Sequence, residues 1–529
     1  LTLTDLINRA QDTVPAAFGP VTIDRDDPRY PELSAKGANK RFAATPESFR
    51  IVGSTEQVVL AVTEAARSGR RVIVRSGGHC YEDLVGADAV DMVLDMSQMN
   101  AVYFDSSRNA FAVEAGALLL DTYRKLYLGW GVTVPGGASA GIAAGGHVSG
   151  GGFGALSRRF GISVDHLYAV EVVVADQPGE ARAVIATREP DDPHRELWWA
   201  HTGGGGGNFG VVTRYWFRSP GATGTDPAGL LPKPPANVLT STVFFPREAM
   251  DRTSFATLVR NFSVWHENNS AADSPYAGLF SGLILFAPLS APAEGQPDLG
   301  AILFTHMGVT ADNAEQLLDE FTAAVTDGGP FGMPMPTTPM PWLSSVQLLA
   351  ELQDDETNRQ KVKSSYLRRS FTDSQIDTIF DYLNGSGPES LDASVSLQSY
   401  GGAANLMPSD ATAVPQRDSV MRVLYMKTWT DPTQDATNLG FLQALYRDLH
   451  RDTGGVPVSG TISDGCFINF LDTDLASGQW NTSGVPWHDL YYKQAYPRLQ
   501  AVKATWDPAN VFHHALSIRA DGADGQQAR

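Results

Sequence analysis

VPGGASAGIAAGGHVSGGGFG, Val134–Gly154, is the stretch on which the fold turns. Ten glycines fall between Gly131 and Gly154, so the segment has few side chains with which to build a core of its own. Glycine is also entropically costly in ordered elements. A run this dense belongs where backbone must come close to another body. A flexible linker would be polar throughout, whereas this stretch carries Val, Ile, Ala and Phe at intervals. It is expected to wrap something large and flat, or something bearing phosphates.

Upstream, Arg71–Arg75 (RVIVR) reads as a short apolar strand that ends in Ser76-Gly77-Gly78-His79. The small residues of that turn offer bare N–H groups, a nest suited to an anion, and the turn delivers an imidazole at its end. Taken alone, His79 also fits a turn histidine bonded to backbone. Downstream, six more glycines lie between Gly203 and Gly210, and Gly205–Gly210 formally matches G-x-G-x-x-G. A dinucleotide fingerprint must end a strand and open a helix. Here the strand-like VVTRYWFR follows instead, which argues against that motif. No G-x-x-x-x-G-K-[ST] phosphate loop is present.

Further out the chain changes texture. Residues 1–218 alternate helix and strand patterns. Ser54-Thr-Glu-Gln57 reads as a capping box, and strands are expected at Met92–Met96, Ala110–Gly116, Tyr168–Asp176 and Phe209–Arg218. Ser219–Asn237 is dense in Pro and Gly and reads as a linker. From about 238 to 455, strands are expected at Ser241–Pro246, Gly282–Pro288, Ala301–Gly308, Ser394–Gly401 and Val423–Trp429. Helices follow Thr310 and Thr372 and run through Phe441–Arg451. Long strands with a few helices suggest an antiparallel sheet covered on one face.

Composition narrows the function. The 529 residues carry 59 acidic and 40 basic side chains, a net charge of -19, which disfavours nucleic-acid binding by phosphate neutralisation. Two cysteines exclude a multi-disulfide scaffold or a thiolate-rich zinc site. There is no apolar run of spanning length. The opening LTLTDLINRAQDTVPAAFG lacks a basic and apolar leader pattern and does not read as a signal peptide. A bacterial cytoplasmic protein without membrane contact is expected, with secretion after leader removal left open.

Four segments in order carry a resemblance: RSGGHCYED from Arg75, PGG…GGHVSGGGFG from Pro135, LWWAHTGGGGGNFGVVT from Leu197, and NTSGVPWHDLYYK…WDPANVFHHALSI from Asn481. The chain resembles the berberine-bridge-enzyme-like oxidases of the vanillyl-alcohol-oxidase/PCMH flavoprotein superfamily, and among them the bacterial antibiotic-tailoring members. The resemblance implies an α+β chain. A PCMH-type two-lobed FAD-binding domain (1–218, core about 46–218) would precede a linker (219–237). A substrate domain with an antiparallel sheet covered by helices (238–455) would follow, and a C-terminal segment (456–529) would complete the first domain. It implies FAD, with Arg75, Ser76, Gly77 and Gly78 at the pyrophosphate and His79 bonded covalently to the flavin. Gly145, Gly146, Gly150, Gly151, Gly210, Val212 and Asn510 would contact the cofactor. The reaction implied is hydride transfer from a secondary metabolite, such as an alcohol on an antibiotic's sugar, with oxygen reoxidising the flavin to give hydrogen peroxide.

Two departures stand out. Many relatives have a second, cysteinyl tether eight residues before the His of the GGH motif, and here that place is Ser139. A hydroxyl is a far poorer nucleophile than a thiolate, so attachment through His79 alone is expected. Alcohol-oxidising relatives also place tyrosines where this chain has Phe153, Phe467 and Phe470, and phenylalanine cannot carry a proton. Tyr400 is then the leading candidate for the base, with Tyr491, Tyr492 and His488 weaker; each also fits a packed side chain. The alternatives are changed two-electron chemistry, such as dehydrogenation or oxidative cyclisation of a polyketide-type ring, and a non-catalytic flavin-binding protein. Metal is not expected.

Overall fold

The RVIVR segment does form a strand, β3, and its neighbours fix where the glycine turn goes. A computed structural model describes residues 18–520 except 83, 85–89, 293, 311, 353–357 and 386. The opening segment read for a leader lies, through residue 17, outside the described residues. β1 (Val21–Asp24), β2 (Ser48–Ile51), β3 (Val72–Arg75) and β4 (Met92–Asp95) make a four-stranded sheet in the order β1-β2-β4-β3. β2, β4 and β3 run parallel, and β1 is antiparallel on the edge. The helix Thr55–Ser68 connects β2 to β3. The Ser54 side chain accepts from the Gln57 N–H, as its spacing predicts. The return arm, Gln57 Oε1, reaches the Gly53 N–H instead.

A second sheet has five strands: β5 (Val102–Asp105), β6 (Ala110–Glu114), β7 (Leu167–Gln177), β8 (Glu180–Thr187) and β9 (Val211–Phe217), ordered β5-β6-β9-β7-β8 and antiparallel. β9 starts directly after Gly210, so the formal G-x-G-x-x-G opens a strand and not a helix. Trp198 and Trp199, just before that glycine run, are buried in the main hydrophobic core.

The third sheet is antiparallel and has eight strands. They are β10 (Asn237–Pro246), β11 (Leu279–Phe286), β12 (Leu299–Gly308), β13 (Met333–Pro334), β14 (Thr338–Pro341), β15 (Arg359–Leu367), β16 (Ala393–Ser399) and β17 (Met421–Trp429). The order is β13-β10-β12-β11-β16-β17-β15, with β14 also on β10. Alternation along the strands separates two faces. Leu283, Leu285, Leu303, Val395, Leu397, Val423 and Tyr425 join one hydrophobic core with residues of the helices Arg252–Asn269, Ala314–Thr326, Asp373–Leu383 and Asp435–Leu449. The intervening residues turn the other way, toward a cavity. The fold is α+β, as expected, with the sheet covered by helices on one face. No helix among the described residues is long and apolar enough to cross a membrane.

Candidate cofactor and substrate site

One cavity of about 670 Å³ collects most of the residues singled out from the sequence. Its lining includes Arg75 through Tyr81, Ser139, Gly145, Gly146, His147, Phe153, Gly210 and Val212. The glycines there have steric reasons. Gly78 has φ +79°, and a Cβ on Gly77 would stand 2.3 Å from the Gly141 carbonyl oxygen. A Cβ on Gly145 would stand 2.3 Å from the Ser76 Oγ. The β3 turn therefore lies backbone to backbone on the loop just before the Ala144–Ser149 helix, and its Ser76 side chain packs on the helix itself. At Gly146 and Gly206, both lining the cavity, a Cβ would meet no atom within 4 Å. There the missing side chains leave open room.

The opposite wall is the free face of the third sheet. Ser394, Ser396 and Gln398 of β16 and Arg422, Leu424, Met426 and Thr428 of β17 line it in alternate positions. Gln398 pairs with Arg422 and Ser396 with Leu424 in the register. Phe467 and Phe470 close one side, and Phe512, His513 and His514 another. The aromatic wall is continuous. His79 meets Tyr81 edge-on at 5.4 Å, Tyr81 meets Phe470 at 5.4 Å, and Phe467 meets Phe470 at 5.3 Å.

Buried imidazoles in this lining are held neutral. Burial, helped by Arg422 and His79, pushes His147 down to about 3, and its Nε2 accepts the Gly137 N–H at 3.1 Å. Burial takes His201 down to about 4. Arg422 is itself pushed down to about 10, chiefly by burial, and so stays charged at neutral pH.

Several expected roles shift. Arg75 borders the cavity, but its guanidinium is committed elsewhere. It donates to Asp95 Oδ2 through Nε (3.1 Å) and Nη2 (3.0 Å), and to the Leu33 carbonyl through Nη1 (2.6 Å). It braces β3 against β4 and is not a spare cation for a pyrophosphate. Gly150 and Gly151 do not line the cavity; Cβ atoms there would strike Asn469 and Val414, so they serve packing. Asn510 sits at φ +54° in a turn outside the lining, and its turn delivers Phe512 and His513 to it.

Tyr400 and Tyr491 also stand behind the wall. The Tyr400 hydroxyl is fully buried, donates to the Gln416 carbonyl at 3.1 Å, and is pushed up to about 12, mainly by burial. Its ring packs on Phe153 at 5.3 Å. The Tyr491 hydroxyl accepts the Asp472 N–H at 3.0 Å and donates to the Phe470 carbonyl at 3.3 Å. Tyr492 donates to the Gly204 carbonyl, and His488 stacks on Tyr496. None of these four lines the cavity. Among the described residues, the tyrosine that does is Tyr81. Sequence reasoning passed over Tyr81, Gln398, Ser396 and Arg422. Tyr81 lies within the quoted motif, and the other three could have been sought as polar residues at period two in otherwise apolar strands.

Comparison with known proteins agrees with this architecture. Residues 46–178 match the FAD-binding domain family and residues 466–519 the family described as berberine and berberine like. Aclacinomycin-N/aclacinomycin-A oxidase of Streptomyces galilaeus is 49% identical over 95% of this chain and 90% of its own. The chain belongs to the berberine-bridge-enzyme-like family. It is an FAD-linked oxidoreductase. Two solved structures align over nearly the full length. A glycopeptide hexose oxidase in complex with teicoplanin has 47% identity and a TM-score of 0.91 over 96% of this chain and 100% of that one. An oxidoreductase of the terminal step of gilvocarcin biosynthesis, with pregilvocarcin, has 39% identity and a TM-score of 0.89 over 94% and 100%. The open glycine backbone at 146 and 206 and the neutral imidazoles fit FAD in this member of the family.

Proposed function

We propose that the protein is a bacterial FAD-dependent oxidase of a small natural product, carrying its flavin covalently through His79 alone. One observation supports this above others: a single cavity has a glycine turn ending in His79 on one wall and a polar sheet face on the other. FAD bound there supplies acceptance of a hydride from substrate carbon and reoxidation by oxygen with release of hydrogen peroxide. Ser76, Gly77, Gly78, Gly145, Gly146, Gly210 and Val212 would hold it, and Ser139 offers no thiolate for a second tether.

The chain's own groups orient the substrate and handle one proton. The sheet face of Ser396, Gln398 and Arg422 presents the polar contacts, while Phe153, Phe467 and Phe470 exclude water beside it. Tyr81 Oη takes the role first considered for Tyr400, because it borders the cavity and Tyr400 does not. The substrate is an alcohol on an antibiotic-like molecule. Residues 1–218 and 456–529 would form the cofactor domain and 238–455 the substrate domain, joined by 219–237. Strands of the third sheet all fall between 237 and 429, which supports that division. A cytoplasmic location follows from the same reading.

A second reading keeps the flavin but changes the chemistry to ring dehydrogenation or oxidative cyclisation; the three phenylalanines on the wall favour it. Anaerobic mixing with a panel of natural products decides between oxidase and mere flavin carrier. Bleaching of the flavin and peroxide release on readmitting air are expected. Product structure separates the two oxidase readings. Peptide mass spectrometry should find flavin on the His79 peptide and on no other; flavin released by denaturation would defeat the covalent attachment.

A further inference from the structure

Arg422 is a buried cation without a counter-charge among the described residues. It is 8% exposed and lies on the cavity face of β17. Its guanidinium sits over the rings of Phe153 (4.3 Å), Phe467 (4.7 Å) and Phe470 (5.2 Å). Nη2 donates to Gln398 Oε1 at 2.5 Å, while Nε is buried with no partner. No carboxylate forms an ion pair with it among the described residues. The ionisable groups that act on it are the phenols of Tyr366, Tyr400 and Tyr81, and it acts in turn on His147.

Other buried arginines are accounted for. Arg75 is paired with Asp95, and Arg417 with Asp165 at 2.8 Å. Arg158 also lacks a carboxylate among the described residues and has an unpartnered Nε, but its Nη1 and Nη2 donate to the carbonyls of Tyr400 and Asn269 and it does not border the cavity. An unpaired guanidinium in an apolar slot is costly, and ring faces return only part of that cost. A second orphan lies beside it. Ser396 Oγ, on the neighbouring strand and in the same lining, is buried without a hydrogen-bond partner.

We propose that Arg422, flanked by Gln398 and Ser396, receives an anionic oxygen of the substrate, a carboxylate or an ionised acidic hydroxyl borne by an apolar ring. This rests on the reading of the cavity as the substrate site of an oxidase. It narrows the substrate to acidic molecules, anchored at a point separate from the hydroxyl or carbon that is oxidised. The planar, permanently charged guanidinium suits an oxygen anion, and the surrounding phenylalanine rings suit the flat body that carries it.

The test is calorimetric titration of the flavin-loaded enzyme with benzoate, 4-nitrophenolate and the neutral benzamide. At least one anion should bind about tenfold or more tightly than benzamide. Preference for benzoate alone identifies a carboxylate, and for 4-nitrophenolate alone an ionised hydroxyl. Arg422→Met should abolish the preference, and Arg422→Lys should keep part of it. Equal binding of all three probes, or no measurable binding of either anion, overturns the proposal in the wild type without any variant. So does a preference that survives Arg422→Met. Failure of the oxidase reading looks different: no natural product bleaches the flavin, while the anion preference persists.

Discussion

At the scale of single residues, two tyrosines separate packing from chemistry. Tyr81 borders the cavity; Tyr400 stands behind Phe153 with its hydroxyl spent on the Gln416 carbonyl. A positioned base contributes about 10²–10⁴-fold. Tyr81→Phe should therefore lower kcat about 100-fold with flavin content unchanged. Tyr400→Phe should leave kcat within about tenfold and cost about 1 kcal/mol of stability, the worth of one buried hydrogen bond. Steady-state peroxide assays and denaturant melts of both variants check this. The reverse ranking of kcat would return the base to Tyr400. The sequence shows that Phe153, Phe467 and Phe470 cannot carry protons, because that follows from residue type alone. It does not show which hydroxyl faces the cavity, because that depends on partners far away in the chain. Arg75 teaches the same point: its motif suggests a phosphate contact, and Asp95, twenty residues on, claims the guanidinium.

At the scale of elements, alternation made most of the sheets legible. β16 and β17 read as strands because Val395, Leu397, Val423 and Tyr425 recur at period two. β15 was not legible, although it is nine residues long. Its Lys361 and Lys363 look like solvated charges, yet both are buried. They are matched by acids from other parts of the chain. Lys361 pairs with Glu82 and, at 2.8 Å, with Asp472. Lys363 pairs with Asp472 and Asp474, each at 2.6 Å. Local pattern cannot reveal a counter-charge more than a hundred residues away. Removing one partner of a buried pair strands the other. Lys361→Met should therefore cost about 3 kcal/mol, measured by urea unfolding. Adding Glu82→Leu should restore part of that, since Lys363 still neutralises Asp472. A single variant as stable as the wild type would mean that the cluster contributes no net stability.

Across the whole molecule, the buried acids give stability an uneven dependence on pH. Burial raises Asp472, but Lys361 and Lys363 outweigh it and hold the carboxyl well below its ordinary range. Burial likewise raises Asp95, and Arg75 and Lys36 bring it below. Groups so depressed contribute stability that is complete above their unfolded value of about 4 and lost as the pH falls below it. Glu82, Asp464 and Asp507 go the other way, because burial raises each above its ordinary value despite nearby lysines. They cost stability while ionised, and the folded protein takes up their protons before the unfolded chain does. Stability should then rise as the pH falls through their folded values toward their unfolded ones. Net charge adds to this trend, since -19 at pH 7 shrinks toward zero near the isoelectric point of about 5.0 and self-repulsion fades. The melting temperature should pass through a maximum near about pH 5 and drop steeply below about pH 4. The buried pairs tie the parts of the chain together: Lys361 of β15 joins Glu82, just past the glycine turn, to Asp472 of the C-terminal segment. Melting followed by flavin fluorescence and by far-ultraviolet circular dichroism should therefore give one coincident transition at pH 5 and at pH 7. A melting temperature that stays flat or falls between pH 8 and pH 5 would show that the raised acids and the net charge do not govern stability in that range.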